Sequence, residues 1–385
     1  MNFDLNQDQK LLVETAASFA KKESPVTRLR GLREDSVGWT KEVWKHMGEL
    51  GWLGILMPES VGGFGWSFSE AALVIEKLGT TLVPEPFVPS VVLAGCAIRD
   101  GGSEAQQKRW LEPLVRGETS LALAYAERES RFDPLRIATR AQKSGAGYKI
   151  RGEKVFVLNG HAADAIVGSA RTGGSAAEPA GVSAFVVDAG TRGLTVQPIK
   201  TMDGHHAAIL KFDDVEVEAD RMLGAEGSAG PLLERAMDLG AAAACAEGVG
   251  VMQTVLGMTR DYLCTREQFG VKIGTFQALQ HRAVDMFVEA QLCKSMAILA
   301  AIRASEADAE ERRSAVSAAK VQLSVGGRYV TQQATQLHGG IGVTDEHDVG
   351  LYFKRMHVLN ALFGDEEHHV ARYGSLPGFT AGLEA

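Results

Sequence analysis

An arginine and a phenylalanine lie where one long helical pattern of the chain ends and the next begins. Arg266 and Phe269 stand in the run Arg266-Glu-Gln-Phe-Gly-Val-Lys-Ile-Gly-Thr-Phe-Gln277. A guanidinium offers a planar fork of donors to a pyrophosphate, and a phenyl ring offers its face to a flat ring. The run therefore indicates a site for a nucleotide-like ligand. The same residues also suit an ordinary helix end, where a cation favours the helix dipole and Gly270 ends the helix.

A glycine-rich turn closes another helical pattern. The run Gln336-Leu-His-Gly-Gly-Ile-Gly342 places three glycines within four positions. Glycines let a backbone approach a ligand closely, and the Gln336 amide supplies both donors and an acceptor. A plain helix cap would use the same glycines, and His338 alone is better explained as a structural histidine than as a catalyst. Two such features at helix ends in one bundle favour a binding site.

Glu247 is the only charged residue between Asp238 and Arg260, and small residues flank it at 241–246 and at Gly248. Burial among apolar neighbours disfavours the charged form of a carboxyl, which suits a general base that works near neutral pH. The small neighbours also leave room for a flat or elongated ligand. The open alternative is that Glu247 pairs with an arginine or accepts a hydrogen bond from a buried amide.

Composition excludes several other function classes. The 385 residues include 40 basic and 48 acidic side chains, a net charge of −8, which argues against nucleic-acid binding. Four widely spaced cysteines, without a CxxC pair or histidines clustered at ligand spacing, predict reduced core thiols, no metal site and a cytoplasmic location. The opening residues show no secretory-signal pattern. Residues 239–259 could span a membrane by length, but their Ala/Gly content and the mid-span Glu247 predict a buried bundle helix.

The candidate residues at helix ends need a helical bundle to position them. Helical periodicity runs through residues 1–120 and begins with Asn6 and Gln9 at the spacing of a capping box. Between residues 121 and 224, short β-rich runs separated by turns predict an antiparallel barrel or sandwich. Long helical patterns return over 225–385, at about 231–264, 276–304, 310–337 and 346–373. The predicted fold is therefore α+β, with an N-terminal helical domain (1–120), a central antiparallel β-barrel domain (121–224) and a C-terminal helical bundle (225–385).

With this α, β, α order, the runs at 266–277 and 336–342 resemble the acyl-CoA dehydrogenase family over essentially the whole chain. The runs at 152–154 and 159–160 match the family's central domain, and 58–65 matches its N-terminal domain. The resemblance implies FAD as cofactor and an acyl-CoA thioester as substrate. A base would remove the α-proton while the β-hydrogen leaves as hydride to the flavin, and an electron-transfer flavoprotein would accept the electrons. It implies cofactor-binding roles for Arg266, Phe269, Gln277, Gln336, Gly339, Gly340, Phe156 and Leu158.

Three departures from the family pattern fall in the flavin-facing pocket. Where many members carry a Thr-Glu-Pro-x-Ala-Gly-Ser-Asp loop over the flavin, residues 126–133 read Ala-Glu-Arg-Glu-Ser-Arg-Phe-Asp. The family's Trp-Ile-Thr is Phe156-Val-Leu158, in which Phe156 can still stack on a ring while one hydrogen bond, about 1 kcal/mol, is lost. The Glu-Gly-Thr that commonly supplies the base is Phe363-Gly-Asp365. Because related bacterial members place the base on the helix of Glu247, the resemblance assigns Glu247 as the catalytic base.

Within the family, the chain most resembles the small-subunit type associated with pimeloyl-CoA dehydrogenases, and less closely the paired subunits that oxidise steroid side-chain thioesters. Two functions stay open. The chain is either a working FAD enzyme subunit with Glu247 as base, or a non-catalytic partner subunit that lends Arg266, Phe269 and Gln336 to the FAD of a larger homologous chain. The expected assembly is a homo-oligomer or a heteromer with that chain. The sequence does not specify the acyl group, because pocket depth depends on tertiary packing.

Overall fold

The computed structural model describes residues 4–176 and 178–380. The chain forms two compact units. We call them the helical unit (Met1–Gly31, Phe68–Val83 and Ala241–Ala385) and the sheet unit (Leu32–Ser67 and Pro84–Gly240). The predicted boundaries at residues 120 and 224 stay a prediction. The prediction that the opening residues carry no secretory signal includes residues 1–3, which lie outside the described residues.

The helices follow the helical patterns of the sequence. They are α1 (Gln7–Lys22), α2 (Val26–Leu32), α3 (Lys41–Glu49), α4 (Phe68–Gly79), α5 (Cys96–Gly101), α6 (Glu104–Val115), α7 (Gly230–Thr265), α8 (Gln277–Arg303), α9 (Ala309–Gln322), α10 (Arg328–Leu337), α11 (Val349–Ala361), α12 (Glu366–Gly374) and α13 (Pro377–Thr380). The capping box predicted for α1 is confirmed, because the Asn6 and Gln9 side chains each accept a hydrogen bond from the other's backbone N–H. A single helix predicted over 346–373 is wrong. Phe363 (φ 59°) and Gly364 (φ 117°) break it, and Asp365 caps α12.

Helix α7 carries Glu247 and is the long apolar helix anticipated from the sequence. By length and composition alone this helix could cross a membrane. However, 78% of its apolar 18-residue segment is buried inside the molecule. That burial is expected of a core helix. Its glycines allow close packing within the helical unit: a Cβ added at Gly250 would lie 2.0 Å from the Glu76 carbonyl oxygen of α4.

The sheet unit contains a mixed sheet. Its strands are β1 (Leu121–Ala124), β2 (Arg140–Ser144), β3 (Gly147–Leu158), β4 (Ala165–Arg171), β5 (Val182–Asp188), β6 (Leu194–Lys200), β7 (His206–Glu218) and β8 (Met222–Leu223). Their order is β6-β7-β3-β2-β4-β5-β8, with β1 paired to β4. The predicted antiparallel barrel is wrong. Strands β1 and β2 pair parallel to β4, and no pairing between described strands closes the sheet from β6 to β8.

The reason for this error is that β-rich runs mark strands, whereas their direction and closure depend on pairings distant in sequence. Strands β4 and β5 are buried along almost their whole length, and β6 is an exposed edge. The core of the sheet unit includes Tyr148, Ile150 and Val157 of β3. Strand β3 therefore presents one face to this core and can present the other to a ligand.

Three of the four predicted core thiols are buried. Burial raises the pKa of Cys96 to about 11 and that of Cys245 and of Cys293 to about 12, which keeps these thiols protonated and unreactive. The prediction is wrong for Cys264, which is exposed near the C-terminal end of α7. Among the described residues no group of three or more His, Cys, Asp or Glu side chains could hold a metal ion.

Candidate cofactor and substrate site

The segment after α7 forms a tight β-hairpin that presents an aromatic side chain. Strands β9 (Glu267–Gln268) and β10 (Val271–Lys272) pair antiparallel around Phe269 and Gly270. Both turn residues have positive φ, 56° and 79°. Two consecutive positive φ angles are typical of a type I′ turn, whose first position favours Asn, Asp or Gly. A phenylalanine there is held in a conformation that costs about 1 kcal/mol or more, which is the kind of local strain that accompanies function.

The side chains of this hairpin face solvent. Phe269 is 91% exposed, and its only ring partner among the described residues is Phe276, at a centroid distance of 6.2 Å. Arg266 and Gln277 are also exposed. Neither has a side-chain hydrogen bond or ion pair within the described part of the chain. The hairpin and the residues that flank it thus present a free guanidinium, a free amide and an exposed aromatic ring.

The glycine-rich turn lies beside the base of this hairpin. Helix α10 ends at Leu337, and residues 339–343 form a short 3₁₀ turn. The ring of His338 stacks on Tyr262, four residues before Arg266, with a centroid distance of 4.7 Å. The structure therefore brings the two motifs of the sequence analysis together, and Tyr262 is the contact that the sequence did not reveal.

The turn itself is open where a ligand would lie. A Cβ added at Gly339 or Gly340 would meet nothing within 4 Å, and Gly339 has a φ of 64°. The Gln336 side chain is exposed and has no hydrogen-bond partner in the described segments. His338 is structural in this arrangement: it is buried, its Nδ1 lies 2.7 Å from the Ala334 carbonyl oxygen, and burial lowers its pKa.

In the sheet unit, a bulge in β3 directs Phe156 outward. Inward residues of this strand alternate along the chain, so residue 156 would share the inward face of Lys154. A register shift between Lys154 and Val157 breaks the alternation: Phe156 adopts a φ of 52° and is 40% exposed, whereas Val157 is buried. Leu158 is half-buried after the shift. Bulges often re-aim side chains next to active sites, and this one exposes the ring predicted to stack on a flavin.

Glu247 is not the isolated carboxylate that the sequence suggested. Arg355 of α11 donates from Nε to Glu247 Oε1 at 2.6 Å and from an Nη to Oε2 at 2.9 Å. Both side chains are 12% exposed. A Cβ added at Gly79 would lie 2.6 Å from the Glu247 carbonyl oxygen and 3.0 Å from its Cγ, so α4 packs directly against Glu247. The structure thus realises the alternative in which Glu247 pairs with an arginine.

The position at which many family members carry the base is filled by a buried side chain. Phe363 is 6% exposed and its carbonyl oxygen lies 3.1 Å from Nε2 of His369. Burial, together with nearby Lys320, lowers the pKa of His369 to about 2, so the ring is neutral. The fully buried Lys320 donates to the Leu359 carbonyl at 2.6 Å, close to the break between α11 and α12. Within the described residues this turn offers no carboxylate in the place of Phe363.

The partners of two buried charges, Arg355 and Lys154, could not be identified from the sequence. Arg355 directly precedes the buried Met356 of α11, and a charge beside buried apolar positions is a signal for a buried pair. Lys154 occupies an inward position of β3, which is the same signal in a strand. Neither signal identifies the partner, because Arg355 and Glu247 are 108 positions apart.

Comparison with known proteins agrees with this architecture. Three domain families match the chain: acyl-CoA dehydrogenase N-terminal domain at residues 6–118, middle domain at 122–215 and C-terminal domain at 231–374. A probable acyl-CoA dehydrogenase of Bacillus subtilis is 31% identical over 91% of this chain and 92% of its own. Butyryl-CoA dehydrogenase of Megasphaera elsdenii has a similar structure, with a TM-score of 0.91, 26% identity and 100% coverage of both chains.

A heteromeric assembly is also among the similar structures. The match is to the ChsE4–ChsE5 complex of Mycobacterium tuberculosis, with a TM-score of 0.88, 27% identity and coverage of 97% of this chain and 98% of that chain. Together with the domain matches and the Bacillus subtilis relative, these likenesses extend from the first helices to the last. The chain therefore belongs to the acyl-CoA dehydrogenase family of oxidoreductases.

Proposed function

We propose that the chain is a subunit of an FAD-dependent acyl-CoA dehydrogenase that oxidises the α,β carbon–carbon bond of an acyl-CoA thioester. The observation that carries this proposal is the pair of open features beside the Tyr262–His338 stack, Arg266 on one side and Gln336 with its glycines on the other. Exposed charged and amide groups without partners in their own chain are available to a ligand. Family membership supplies the reaction class.

The groups present in the helical unit fit FAD. The Arg266 guanidinium suits the diphosphate, and the Phe269 face suits a flat ring. The open backbone at Gly339 and Gly340, with the Gln336 amide, suits the adenosine half. When bound, FAD supplies the acceptor for the hydride that leaves the β-carbon. Gln277 stands at the start of α8, where its amide is free for the same ligand.

The exposed hairpin serves the cofactor of a neighbouring subunit. Phe269 projects into solvent, and the adjoining helix α8 exposes an apolar face at helical spacing. This face consists of Val284, Phe287, Val288 and Leu292, which are 58%, 52%, 47% and 47% exposed. A contiguous exposed apolar face marks a protein interface. The neighbour is a second copy of this chain or a larger homologous chain, while Phe156 and Leu158 face the flavin of this chain's own site.

Proton removal from the α-carbon is assigned to Glu247. In the present arrangement both carboxylate oxygens accept a hydrogen bond from Arg355, which uses one lone pair of each oxygen and leaves the others for a proton. Arg355 holds both oxygens and so orients the group. The buried setting keeps bulk water from competing for the carboxylate.

The substitution Glu247→Gln tests this assignment. It keeps the size of the side chain and a hydrogen-bond acceptor for Arg355 but removes the basicity. Dehydrogenation should fall by at least about 10²-fold while thioester binding persists. Activity is followed with an artificial electron acceptor, and thioester binding by the change that it causes in the flavin absorbance. Turnover near the wild-type rate would remove Glu247 from the mechanism.

The Glu247–Arg355 pair and the buried Phe363 also favour a second candidate function. In it the chain is a small, non-catalytic subunit that completes the FAD site of a larger homologous chain, as in the pimeloyl-CoA small-subunit type proposed from the sequence. The existence of heteromers such as ChsE4–ChsE5 supports the comparison. Flavin content discriminates: about one FAD per purified chain supports the first function, and a colourless chain that gains flavin only with a larger partner supports the second.

Two further proposals follow from the family assignment. An electron-transfer flavoprotein accepts the electrons, and the protein acts in the cytoplasm. Rapid reoxidation of the substrate-reduced protein by a purified electron-transfer flavoprotein would support the first, and recovery of the protein in the cytosolic fraction would support the second.

A further inference from the structure

One buried charged cluster in the sheet unit is not used by the reaction described above. Lys154 of β3 is fully buried. Its Nζ donates to Glu127 Oε1 at 2.8 Å and to Ser169 Oγ of β4 at 2.9 Å. Removing an ammonium from water costs several kcal/mol, so its retention in a core calls for an explanation.

Glu127 connects this lysine to the loop between β1 and β2. The Glu127 carboxylate accepts hydrogen bonds from the backbone N–H groups of Ala138 at 2.7 Å and Thr139 at 3.1 Å. Burial by itself would raise the pKa of Glu127, but the Lys154 charge and these hydrogen bonds outweigh it, so the pKa lies below its usual value. A charged pair therefore fixes both ends of the loop from residue 127 to residue 139.

The same lysine lies two residues before Phe156. The β3 bulge that turns Phe156 outward begins at Lys154, and Val155 N–H donates to the Ala126 carbonyl at 2.9 Å. Exposed Arg128 and Glu153 add an ion pair at 2.9 Å between the loop and the strand. The loop and the bulge are thus joined at adjacent positions, and Lys154 is the buried point at which they meet.

We infer that Lys154, acting through Glu127, is a positioning residue that sets the loop 126–133 and the Phe156 ring in one fixed arrangement against the isoalloxazine. This inference rests on the proposed function, in which Phe156 faces the flavin, and on the resemblance by which residues 126–133 correspond to the family's loop over the flavin. A rigid support beneath the contacting groups is the usual requirement of a precise site.

The experiment uses the purified full-length chain, with its larger partner if flavin is taken up only in the complex. The variants are Lys154→Met, which removes the charge and keeps the shape, Glu127→Gln, which keeps the length, and the double variant. We expect the FAD dissociation constant to rise at least about tenfold in each. We also expect the visible circular dichroism of the bound flavin to change, because that signal reports the asymmetry of the ring environment.

A stability control separates positioning from general unfolding. Met47→Ala removes a fully buried side chain of α3 in the same unit and should lower the Tm, while flavin affinity and the visible circular dichroism stay at wild-type values. If Lys154→Met does not fold, the double variant, which leaves no unpaired charge, and Glu127→Gln carry the test.

The outcomes distinguish two failures. Wild-type protein that takes up no FAD, alone or in complex, overturns the proposed function. Wild-type protein that binds FAD, with folded variants that keep its affinity and its visible circular dichroism, overturns the positioning role alone. Weaker binding with a changed flavin signal in the variants, but not in Met47→Ala, supports the inference.

Discussion

Glu247 and Arg266 belong to one stretch of chain, yet their charged groups lie in opposite environments. Glu247, inside α7, is buried and held by both donors of the Arg355 fork, whereas Arg266, directly after α7, is exposed and has no ion pair among the described residues. A buried charge has to be neutralised within its own chain, because water cannot do so. An exposed charge can remain available for a ligand or a neighbouring subunit. Only the exposed group is therefore expected to affect binding without affecting stability.

The largest effect is expected from breaking the buried pair. Arg355→Leu leaves the Glu247 carboxylate without its partner and should lower the free energy of unfolding by about 3–5 kcal/mol. Urea denaturation followed by circular dichroism measures this. The double variant Glu247→Leu with Arg355→Leu should recover most of the loss, since a well-packed apolar pair can replace a buried ion pair at little cost. Equal losses in the single and double variants would contradict the neutralisation argument.

A second buried polar group predicts how the helical unit responds to acid. The pKa of His369 is about 2 in the folded protein and about 6.5 in an unfolded chain. Below pH 6.5 the unfolded state binds a proton at His369 that the folded state does not. The contribution of His369 to the free energy of unfolding is therefore fully present above pH 6.5 and is lost as the pH falls toward 2. The loss is about 1.4 kcal/mol per pH unit, roughly 2.7 kcal/mol by pH 4.5.

Chemical denaturation across that pH range, for wild type and His369→Gln, measures this contribution. The free energy of unfolding of His369→Gln should decline less steeply than that of the wild type between pH 6.5 and 4.5. The matched control is His357→Gln, on the exposed side of α11, which should keep the wild-type decline. Identical slopes in wild type and His369→Gln would show that other groups govern the acid response.

Replacing the exposed Arg266 is expected to weaken FAD binding without changing the stability of the fold. Arg266→Ala should change the free energy of unfolding by no more than about 0.5 kcal/mol. It should raise the FAD dissociation constant about 10- to 100-fold, because hydrogen bonds to a charged group contribute about 1.5–3 kcal/mol. Fluorescence titration with FAD measures the affinity. Arg260→Ala, at an exposed arginine within α7, serves as control and should bind FAD normally. Unchanged affinity in Arg266→Ala would remove it from the cofactor site.

The smallest effect concerns the hairpin tip. Phe269→Asn creates the Asn-Gly pair favoured in type I′ turns, so the hairpin should become more stable by up to about 1 kcal/mol. FAD uptake should nevertheless weaken, because the exposed aromatic face is lost. Thermal unfolding and flavin content of the same preparation report the two effects. A less stable variant would show that the Phe269 ring stabilises its own chain.

Much of the fold could be predicted because its signals are local. The capping box at Asn6, the long helices and the β-rich runs depend on residues a few positions apart, and each corresponds to an observed element. The break at Phe363 and Gly364 was missed because it requires left-handed backbone conformations that the hydrophobic pattern does not encode. The mixed, open sheet was missed for a different reason, since strand direction is set by pairing across the chain.

The candidate site likewise combines features that have local sequence signals with features that only tertiary contacts determine. The residue types of Arg266, Phe269 and Gln336 and their places at helix ends could be predicted from the sequence, because a helix end and a glycine turn leave local signatures. The sequence left open the environment of Glu247, for which an isolated carboxylate and an arginine-paired one were equally compatible. Only the tertiary structure decided this, because Arg355 comes from a helix 108 positions away and no local pattern links the two. Tertiary packing likewise determined the Tyr262–His338 stack and the burial of Lys154 against Glu127, because desolvation depends on every element that surrounds a group.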